Sequence, residues 1–421
     1  MVRQDIASEK AQAETAQTTR SAQSARLDSS DHPASAAAQR TVPQHVMPLH
    51  YALVGCGKVA KKHLKAALYH KQDIALIALV DTQPEAAAAL LRSCGFSEKD
   101  AALVPVYTDI AVMLQEVKPS LVAITTPSGS HFPVAMAALE AGAHVLVEKP
   151  LTLNLDEARI LLETAKARHL QIAVGHIYRF FPLVQQLERD LRDGRFGRIL
   201  YGDVKVRWGH DQTYYDQAAW RGTWAQDGGA LMNQSIHALD LITWLLGGKV
   251  TEVSGWIDRQ NHRIEAEDLG LAMLHLDNES FCLIEGTTSS DPHRQVASFT
   301  VMCTEGEIRA GIEKGRPDIR IHDKNGKELG GRYMRRFVWQ QLKKGGLAAV
   351  LQLKNPHSAL YGDWIDAVKH DRAPLADGGS GQQAVEMVLA VYQSAKTRRT
   401  VTLPVVGFSL ADMQDFFPNQ D

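Results

Sequence analysis

The sequence predicts an α/β protein in which a doubly wound parallel sheet is followed by a second α/β domain. Three observations support this fold class. A glycine-rich turn at residues 55–60, GCGKVA, separates an apolar strand from a helix. Strands and helices alternate from about residue 49 to residue 150, and strand patterns rich in aromatic residues follow residue 171. Such alternation is typical of parallel sheets with helices on both faces.

Composition narrows the class of protein. The chain has 421 residues, 45% hydrophobic content and a formal net charge of −2, which suits about two soluble domains. We therefore expect neither nucleic acid nor a membrane as a partner. The four cysteines form no CxxC pair. This pattern favours a reducing cytoplasm and gives no sign of a metal site.

The chain divides into three predicted segments. Residues 1–46 are rich in Ala, Ser, Gln and Thr, and the first 40 contain no aromatic side chain. Such a segment buries too little apolar surface to fold, so we expect a disordered tail. Residues 47–170 are predicted to bind a dinucleotide. Residues 171–421 are predicted to bind the substrate and to form the oligomer.

The turn at residues 55–60 has the GxGxxA spacing of a dinucleotide fingerprint. Its first glycine allows a tight turn, its second lets a pyrophosphate approach the main chain, and the small third residue permits close helix packing. The N–H groups at the start of the following helix favour an anion. The expected cofactor contacts in this turn are Gly55, Gly57, Lys58, Val59 and Ala60.

Asp81 ends the second apolar strand, IALIALVD. A carboxylate at this position accepts hydrogen bonds from ribose hydroxyls and repels a 2′-phosphate, which indicates NAD as the cofactor. No lysine or arginine follows closely to bind such a phosphate. The alternative is an ordinary solvated carboxylate at a strand end.

Two more segments follow strands at the expected ligand-binding edge of the sheet, namely TTPSGSH at residues 125–131 and EKP at residues 148–150. Ligands bind outside the carboxyl ends of strands in open α/β sheets. The further expected cofactor contacts are Thr126, Pro127, Ser128, His131 and Glu148. Lys149 is placed to reach a substrate, although many lysines are merely solvated.

The segment DGGALMNQSIHALD, residues 227–240, carries the second set of candidate polar groups. Asn233 and His237 are four residues apart, so on a helix they would face the same side. The glycine pair before them lets the main chain approach a ligand closely. The alternative is a buried histidine with a structural role.

The order of these motifs resembles the Gfo/Idh/MocA family of nicotinamide-dependent sugar oxidoreductases over residues 47–404. The resemblance implies a Rossmann domain, a second α/β domain with a large, mostly antiparallel sheet, and a homodimer or homotetramer formed through that sheet. It also implies that Lys149 and His237 are the catalytic residues of an NAD-dependent sugar dehydrogenase, with His237 as the base.

Residues 214–224, YYDQAAWRGTW, read as a long loop that offers aromatic surface and an arginine for a sugar ring and an anion. With GGALMNQSIH, this loop resembles the family members that oxidise UDP-N-acetylglucosaminuronate at C3. The family usually has Asp at position 233, and this subgroup has a third glycine at position 227. The substrate contacts that we expect are Arg179, Tyr215, Trp220, Arg221, Asn233, Gln234 and Ser235.

The expected reaction transfers a hydride from a sugar carbon to NAD, as a step in making nucleotide sugars for surface polysaccharide. Lys149 and His237 could exchange their roles, because a desolvated lysine can also act as a base. The alternatives are a dehydrogenase of another sugar or inositol and, more distantly, a non-catalytic nucleotide-binding regulator. Residues 310–350 are strongly basic and are predicted to be a surface excursion, or else an oligomer or diphosphate contact.

Overall fold

The computed structural model describes residues 47–313, 315–351 and 356–418. The predicted tail, residues 1–46, lies outside the described residues. The first sheet has six parallel strands in the order β3-β2-β1-β4-β5-β6. These strands are β1 Leu49–Val54, β2 Ile74–Val80, β3 Val106–Tyr107, β4 Leu121–Ile124, β5 His144–Val147 and β6 Ile172–Val174.

Helices cover both faces of this sheet, as the alternating pattern predicts. They are α1 Ala60–Tyr69, α2 Pro84–Ser93, α3 Glu98–Ala101, α4 Ile110–Val117, α5 His131–Glu140 and α6 Leu155–Ala167. The strands are apolar and buried on both faces, so two separate clusters of core side chains flank the sheet. The sheet also extends past residue 170, where the sequence placed the domain boundary, because β6 pairs with β5.

The second sheet has eight strands in the order β13-β12-β11-β7-β10-β9-β8-β14. All neighbours pair antiparallel except β7 and β10, which run parallel. The strands are β7 Ile199–Arg207, β8 Val250–Asp258, β9 Leu269–Leu276, β10 Phe281–Thr287, β11 Val296–Cys303, β12 Gly306–Glu313, β13 Arg316–Asp323 and β14 Val401–Thr402. The expectation of a large, mostly antiparallel second sheet is confirmed.

The remaining helices are α7 Pro182–Arg192, α8 Gln212–Asp216, α9 Ile236–Leu246, α10 Gly330–Leu351, α11 Pro356–Lys369 and α12 Gly378–Thr397. A π-helical turn, Ala230–Ser235, leads into α9. One face of the second sheet packs on α9 and α12. In contrast, α11 returns to the first sheet and packs Tyr361 and Trp364 against it.

Residues 310–350, predicted as a surface excursion, are mostly regular structure. They form the end of β12, then β13, and then most of α10. The strand β13 pairs with β12 along its whole length, so this part of the chain belongs to the sheet. No helix within the described ranges combines the length and apolarity needed to span a membrane.

Candidate active site

The glycine turn between β1 and α1 leaves room for a ligand against the main chain. Gly55 has a φ of 89°, and a Cβ there would lie 2.7 Å from the Thr126 nitrogen. A Cβ on Gly57 would meet nothing within 4 Å. Close packing at the first glycine and open space at the second fit a pyrophosphate at the start of α1. Gly57 and Lys58 are exposed, Val59 precedes the helix, and Ala60 is buried.

Asp81 lies beside this turn. One carboxylate oxygen accepts the Cys56 N–H at 2.7 Å and the other accepts the Gln83 N–H at 2.9 Å. A carboxylate offers about four acceptor positions, so capacity remains for ribose hydroxyls. Burial and the nearby Asp81 charge raise the pKa of the Cys56 thiol to about 12. Cys56 is therefore a packing residue and not a nucleophile.

The loop after β4 completes the nucleotide side of the cleft. The Thr125 hydroxyl donates to the Gly55 carbonyl at 2.5 Å and so ties this loop to the glycine turn. The Thr126 Oγ1 is buried and has no hydrogen-bond partner among the described residues. A buried polar atom without a partner is uncommon and fits a ligand contact. Pro127 and Ser128 follow at the rim, where Ser128 starts a short 3₁₀ turn.

Two expected cofactor contacts are instead engaged within the protein. The His131 ring nitrogens lie 2.7 Å from the Pro150 oxygen and 3.1 Å from the Thr126 oxygen. Glu148 Oε1 lies 2.8 Å from His63 Nε2, and its other oxygen accepts the Lys149 N–H at 3.1 Å. Both side chains are buried. They hold the loops after β4 and β5 in place, and the sequence does not reveal these long-range pairings.

The charge on Glu148 is stabilised locally. Burial raises its pKa, but the hydrogen bond and charge of His63, together with Lys149, outweigh burial and hold the pKa below its usual range. A carboxylate oxygen of Glu148 and one ring nitrogen each of His63 and His357 lie within 4.8 Å of one another. These three atoms are possible metal ligands. The 2.8 Å separation between His63 and Glu148 is that of a hydrogen bond, so we assign no metal to this cluster.

Lys149 links the first sheet to the π-helical turn. Its Nζ donates to the Asn233 main-chain oxygen at 2.7 Å and lies 3.3 Å from Asn233 Oδ1. Burial lowers the pKa of Lys149, while the charges of Glu148 and Asp227 raise it. The amine is therefore partly desolvated and still faces two carboxylates.

Asp227 is a site residue that the sequence analysis missed. In the sequence it stands out only as a position where the related subgroup has a glycine. It is 2% exposed. One carboxylate oxygen accepts the Gly222 N–H at 2.9 Å, and the other accepts the side-chain amide of Asn233. Burial raises its pKa to about 6, against the opposing effects of the Gly222 hydrogen bond and the Lys149 charge. The sequence feature that could have identified Asp227 is an acidic residue directly before the glycine pair.

The segment that carries Asn233 and His237 is not one regular helix but a π-helical turn followed by α9. Gln234 Nε2 lies 3.2 Å from Asn233 Oδ1 and 3.4 Å from the Tyr214 hydroxyl. Ser235 is fully buried, and a Cβ on Gly286 would lie 2.4 Å from its hydroxyl. Ser235 thus packs against β10 and does not reach the cleft, unlike Asn233 and Gln234.

His237 lies near Lys149 in the second turn of this segment. Burial and the Lys149 charge lower its pKa well below the ordinary value, so the ring is neutral at pH 7. Its Nδ1 is buried and has no hydrogen-bond partner among the described residues. The ring contacts His176 and Tyr178, with centroid distances of 6.1 Å and 5.2 Å. A neutral imidazole beside a partly desolvated amine can take a proton from a hydroxyl.

The sequence predicts that Arg179 contacts the substrate, but its guanidinium group is bonded within the protein. Its Nε and Nη2 donate to both oxygens of Asp240 at 2.8 Å and 2.6 Å, and its Nη1 donates to the Leu375 oxygen at 3.0 Å. Each guanidinium nitrogen therefore serves a protein acceptor. The arginine fixes α9, which carries His237, and we assign it a packing role.

The loop after β7 forms a stack of rings and a cation. The rings of His210 and Tyr214 lie 3.8 Å apart and nearly parallel, and the Arg221 guanidinium lies 4.1 Å from the Tyr214 centroid. The Trp220 ring centroid lies 5.5 Å from the same guanidinium. Tyr215 is buried, and its hydroxyl donates to Thr288 at 2.8 Å. Tyr215 therefore holds the loop, and it also lines a neighbouring cavity.

Cationic groups lie near His210 in this loop. Burial first, then His262, Arg221 and Lys58, lower the pKa of His210 to about 4, against the opposing charge of Asp211. Lys58 of the glycine turn and Arg221 of the loop are thus both close to one ring. The Arg221 Nε is buried without a partner among the described residues. A cavity of about 970 Å³ lies against Arg221 and Tyr215, but Lys149 and His237 are not part of its lining.

Two family models match the chain. The model of an oxidoreductase family with the NAD-binding Rossmann fold matches residues 49–176. The model of the GFO/IDH/MocA C-terminal domain matches residues 184–309. Together they cover more than half of the chain, all of the first sheet and most of the second.

Individual relatives act on several sugars. A D-apiose dehydrogenase from Paraburkholderia graminis is 25% identical over 357 residues, which cover 84% of this chain and 89% of that protein. A UDP-N-acetylglucosamine 3-dehydrogenase from Acidithiobacillus ferrooxidans is 32% identical over 204 residues, 48% of this chain and 55% of that protein. The crystal structure of the WlbA dehydrogenase from Bordetella pertussis, with NADH and UDP-GlcNAcA, is 28% identical with a TM-score of 0.71 and covers 86% of this chain and 100% of that chain.

Proposed function

The chain belongs to the Gfo/Idh/MocA oxidoreductase family, and we propose that it oxidises the C3 hydroxyl of UDP-N-acetylglucosaminuronate to a ketone. The general activity, without a specified sugar, is that of an NAD-dependent sugar dehydrogenase. The observation that carries the proposal is the meeting of Lys149, from the first sheet, with Asn233 and His237 from the second half of the chain. Acid–base groups from two domains then converge on one hydroxyl.

The nucleotide side of the cleft fits NAD. Open space at Gly57, the remaining acceptor capacity of Asp81 and the unpartnered Thr126 hydroxyl are the supporting features. When bound, NAD supplies the hydride acceptor. The Asp81 carboxylate would repel the extra phosphate of NADP.

In the proposed mechanism, His237 removes the hydroxyl proton and Lys149 donates a hydrogen bond to the same oxygen. The neutral state of His237 suits a base, and the ammonium of Lys149 stabilises negative charge developing on oxygen. Asn233 holds the Lys149 amine through two oxygens, which fixes its direction. The reverse assignment, with Lys149 as base, remains the alternative mechanism at this site.

The substrate proposal rests on the loop beside this site. Tyr214, Trp220 and Arg221 present aromatic surface and a cation, and Gln234 presents an amide. Lys58 and Arg221 near His210 suit an anionic sugar nucleotide. The WlbA structure holds such a compound. A role in making nucleotide sugars for surface polysaccharide follows from this substrate.

The test is a panel of sugars offered with NAD⁺ while NADH formation is followed. We expect UDP-N-acetylglucosaminuronate to be oxidised faster than UDP-N-acetylglucosamine and free inositol at equal, sub-saturating concentrations. An analogue without the sugar carboxylate leaves the cation that would pair with this group without its partner, at a cost of roughly 1–3 kcal/mol. Equal or faster oxidation of a sugar without this carboxylate would contradict the substrate assignment.

A free sugar is the second candidate substrate. It is favoured by the D-apiose dehydrogenase, whose alignment covers 84% of this chain, more than the 48% covered by the nucleotide-sugar relative. The two candidates differ in their need for Arg221, since a neutral free sugar offers no anion. The same panel with an Arg221→Ala variant separates them.

We also propose a homodimer or homotetramer formed through the second sheet. One face of that sheet exposes large apolar side chains, which an isolated protein rarely leaves uncovered. They include Trp256, Leu271, Met273, Phe281, Leu283 and Met302. Light scattering after gel filtration gives the molar mass, and Met273→Lys should shift it toward the monomer.

All four cysteines are free, which supports the proposed cytoplasmic location.

A further inference from the structure

Asp227, Asn233 and Lys149 form a continuous hydrogen-bonded chain. The Asn233 amide nitrogen donates to Asp227, and the Asn233 oxygens accept from Lys149. The side-chain amide is therefore oriented: its nitrogen faces the carboxylate and its Oδ1 faces the amine. Asp227 is also anchored at its other oxygen by the Gly222 N–H. A buried carboxylate thus fixes an amide that in turn fixes the amine.

We propose that Asp227 is a positioning residue that, through Asn233, aims the Lys149 amine and keeps it protonated. This inference rests on the proposed role of Lys149. Asp227 need not touch the substrate. It sets the direction of the Asn233 amide, and its negative charge favours the ammonium form of Lys149.

The charges around Lys149 show why this carboxylate matters. The titratable and charged groups that act on Lys149, or on which Lys149 acts, are Glu148, Asp227, Lys62, His131, His176 and His237. Only Glu148 and Asp227 among them are acidic. Glu148 is also paired with His63, whereas Asp227 reaches Lys149 through a single amide. The other groups that act on Asp227 or feel its charge are Arg221, Tyr214 and Tyr215.

Replacing Asp227 by asparagine has two linked consequences. It removes the negative charge, and its own amide must keep an oxygen on the Gly222 N–H and turn a nitrogen toward Asn233. Two facing NH₂ groups repel, so Asn233 has to turn over and lose its Oδ1 contact with Lys149. The double variant Asp227→Asn with Asn233→Asp repairs both faults, because the new amide donates to the new carboxylate, which then accepts from Lys149 directly.

The experiment measures the pKa of Lys149 by NMR in full-length protein labelled with ¹³C at lysine Cε, without substrate. The Lys149→Arg spectrum identifies the signal. Asp227→Asn should lower the Lys149 pKa by roughly one to two units, and the double variant should return it to the wild-type value or above. Asp216→Asn removes an exposed carboxylate from the same loop and should leave the pKa unchanged.

An unchanged Lys149 pKa in Asp227→Asn would overturn the inference, as would a double variant that behaves like the single one. Asn233→Ala gives an independent check, since it removes the amide that links Asp227 to Lys149 while the Asp227 carboxyl group itself is retained, and it should also lower the Lys149 pKa. If Asp227→Asn does not fold, the double variant and Asn233→Ala carry the test. Because no substrate is needed, a Lys149 shift without turnover of any sugar would contradict only the proposed function.

Discussion

Lys149 and Asn233 meet through two contacts, one to a main-chain oxygen at 2.7 Å and one to a side-chain oxygen at 3.3 Å. Lys149 follows β5 of the first sheet, whereas Asn233 lies in the π-helical turn before α9. This contact brings both halves of the chain to one place. It also puts the amine near His237, which lies four residues beyond Asn233.

Lys149→Ala and His237→Ala should each lower turnover by about a hundredfold or more, since acid–base groups contribute roughly 10²–10⁴ in rate. Affinity for NAD should stay nearly unchanged. Lys65→Ala, which removes an exposed lysine from α1, is the control and should retain full turnover. Steady-state kinetics and a fluorescence titration with NADH give the two quantities. Wild-type turnover in either variant would remove that residue from the mechanism.

Asp81→Ser should increase the use of NADP relative to NAD, because it removes a carboxylate that would face the 2′-phosphate. NAD use should also fall, since the Cys56 and Gln83 N–H groups lose their acceptor. The ratio of kcat/KM for the two cofactors measures the change. Glu85→Ala removes a nearby exposed carboxylate and should leave the ratio unaltered. A wild-type protein that prefers NADP would contradict this account of β2.

Arg179→Ala and Arg221→Ala should separate a packing arginine from a substrate-binding one. Arg179→Ala leaves the buried Asp240 carboxylate without its two-bond arginine partner, so we expect a loss of about 3–5 kcal/mol in the free energy of unfolding. Arg221→Ala should instead raise KM for the charged sugar and lower the melting temperature less than Arg179→Ala, because Arg221 bonds only its own loop, through Nη1 to the Tyr214 oxygen and to Gln217. Thermal melts and initial rates on both variants make the comparison. The opposite pattern would restore Arg179 to the substrate site.

Glu267→Gln should change how stability depends on pH. Burial raises the Glu267 pKa to about 8, against hydrogen bonds from Leu231 and Tyr392. Between its ordinary value of 4.5 and 8, the unfolded chain releases this proton while the folded protein keeps it. Folding is therefore weakened as pH rises through that range, by at most about 1.4 kcal/mol per pH unit. Glu267→Gln has no titratable carboxyl group at this position, so it does not lose stability in this way as pH rises.

Melting temperatures at pH 5 and pH 8 provide the check. From pH 5 to pH 8 the wild type should lose more stability than Glu267→Gln. Glu252→Gln, at an exposed position on β8, should follow the wild type. Parallel curves for the wild type and Glu267→Gln would mean that Glu267 is already ionised in the folded protein.

Much of this architecture follows from local sequence patterns. The parallel sheet and the glycine turn are confirmed, because alternation and turn residues act over a few positions. The partners of buried polar groups are different. Arg179 pairs with Asp240, 61 residues away, and Glu148 with His63, 85 residues away. No local pattern encodes such pairings, so their packing roles emerge only from the fold.

Asp227 illustrates the same limit within the site. The sequence showed an acidic residue where a glycine was expected, but not that it would be buried against Asn233. The π-helical turn was also unforeseen, since its residues carry an ordinary helical pattern. The π-helical turn packs closely on the second sheet, where Gly270 and Gly286 leave room for Leu231 and Ser235.

The most direct test of the account follows one hydrogen atom. The protein is incubated with NAD⁺ and UDP-N-acetylglucosaminuronate carrying deuterium at C3, and the reduced cofactor and the sugar are analysed by mass spectrometry and NMR. The account predicts deuterium at nicotinamide C4 and a 3-keto sugar. Two results would contradict the account. One is reduction of NAD⁺ while the deuterium stays on the sugar. The other is no reduction of NAD⁺ with this sugar although the protein oxidises another sugar.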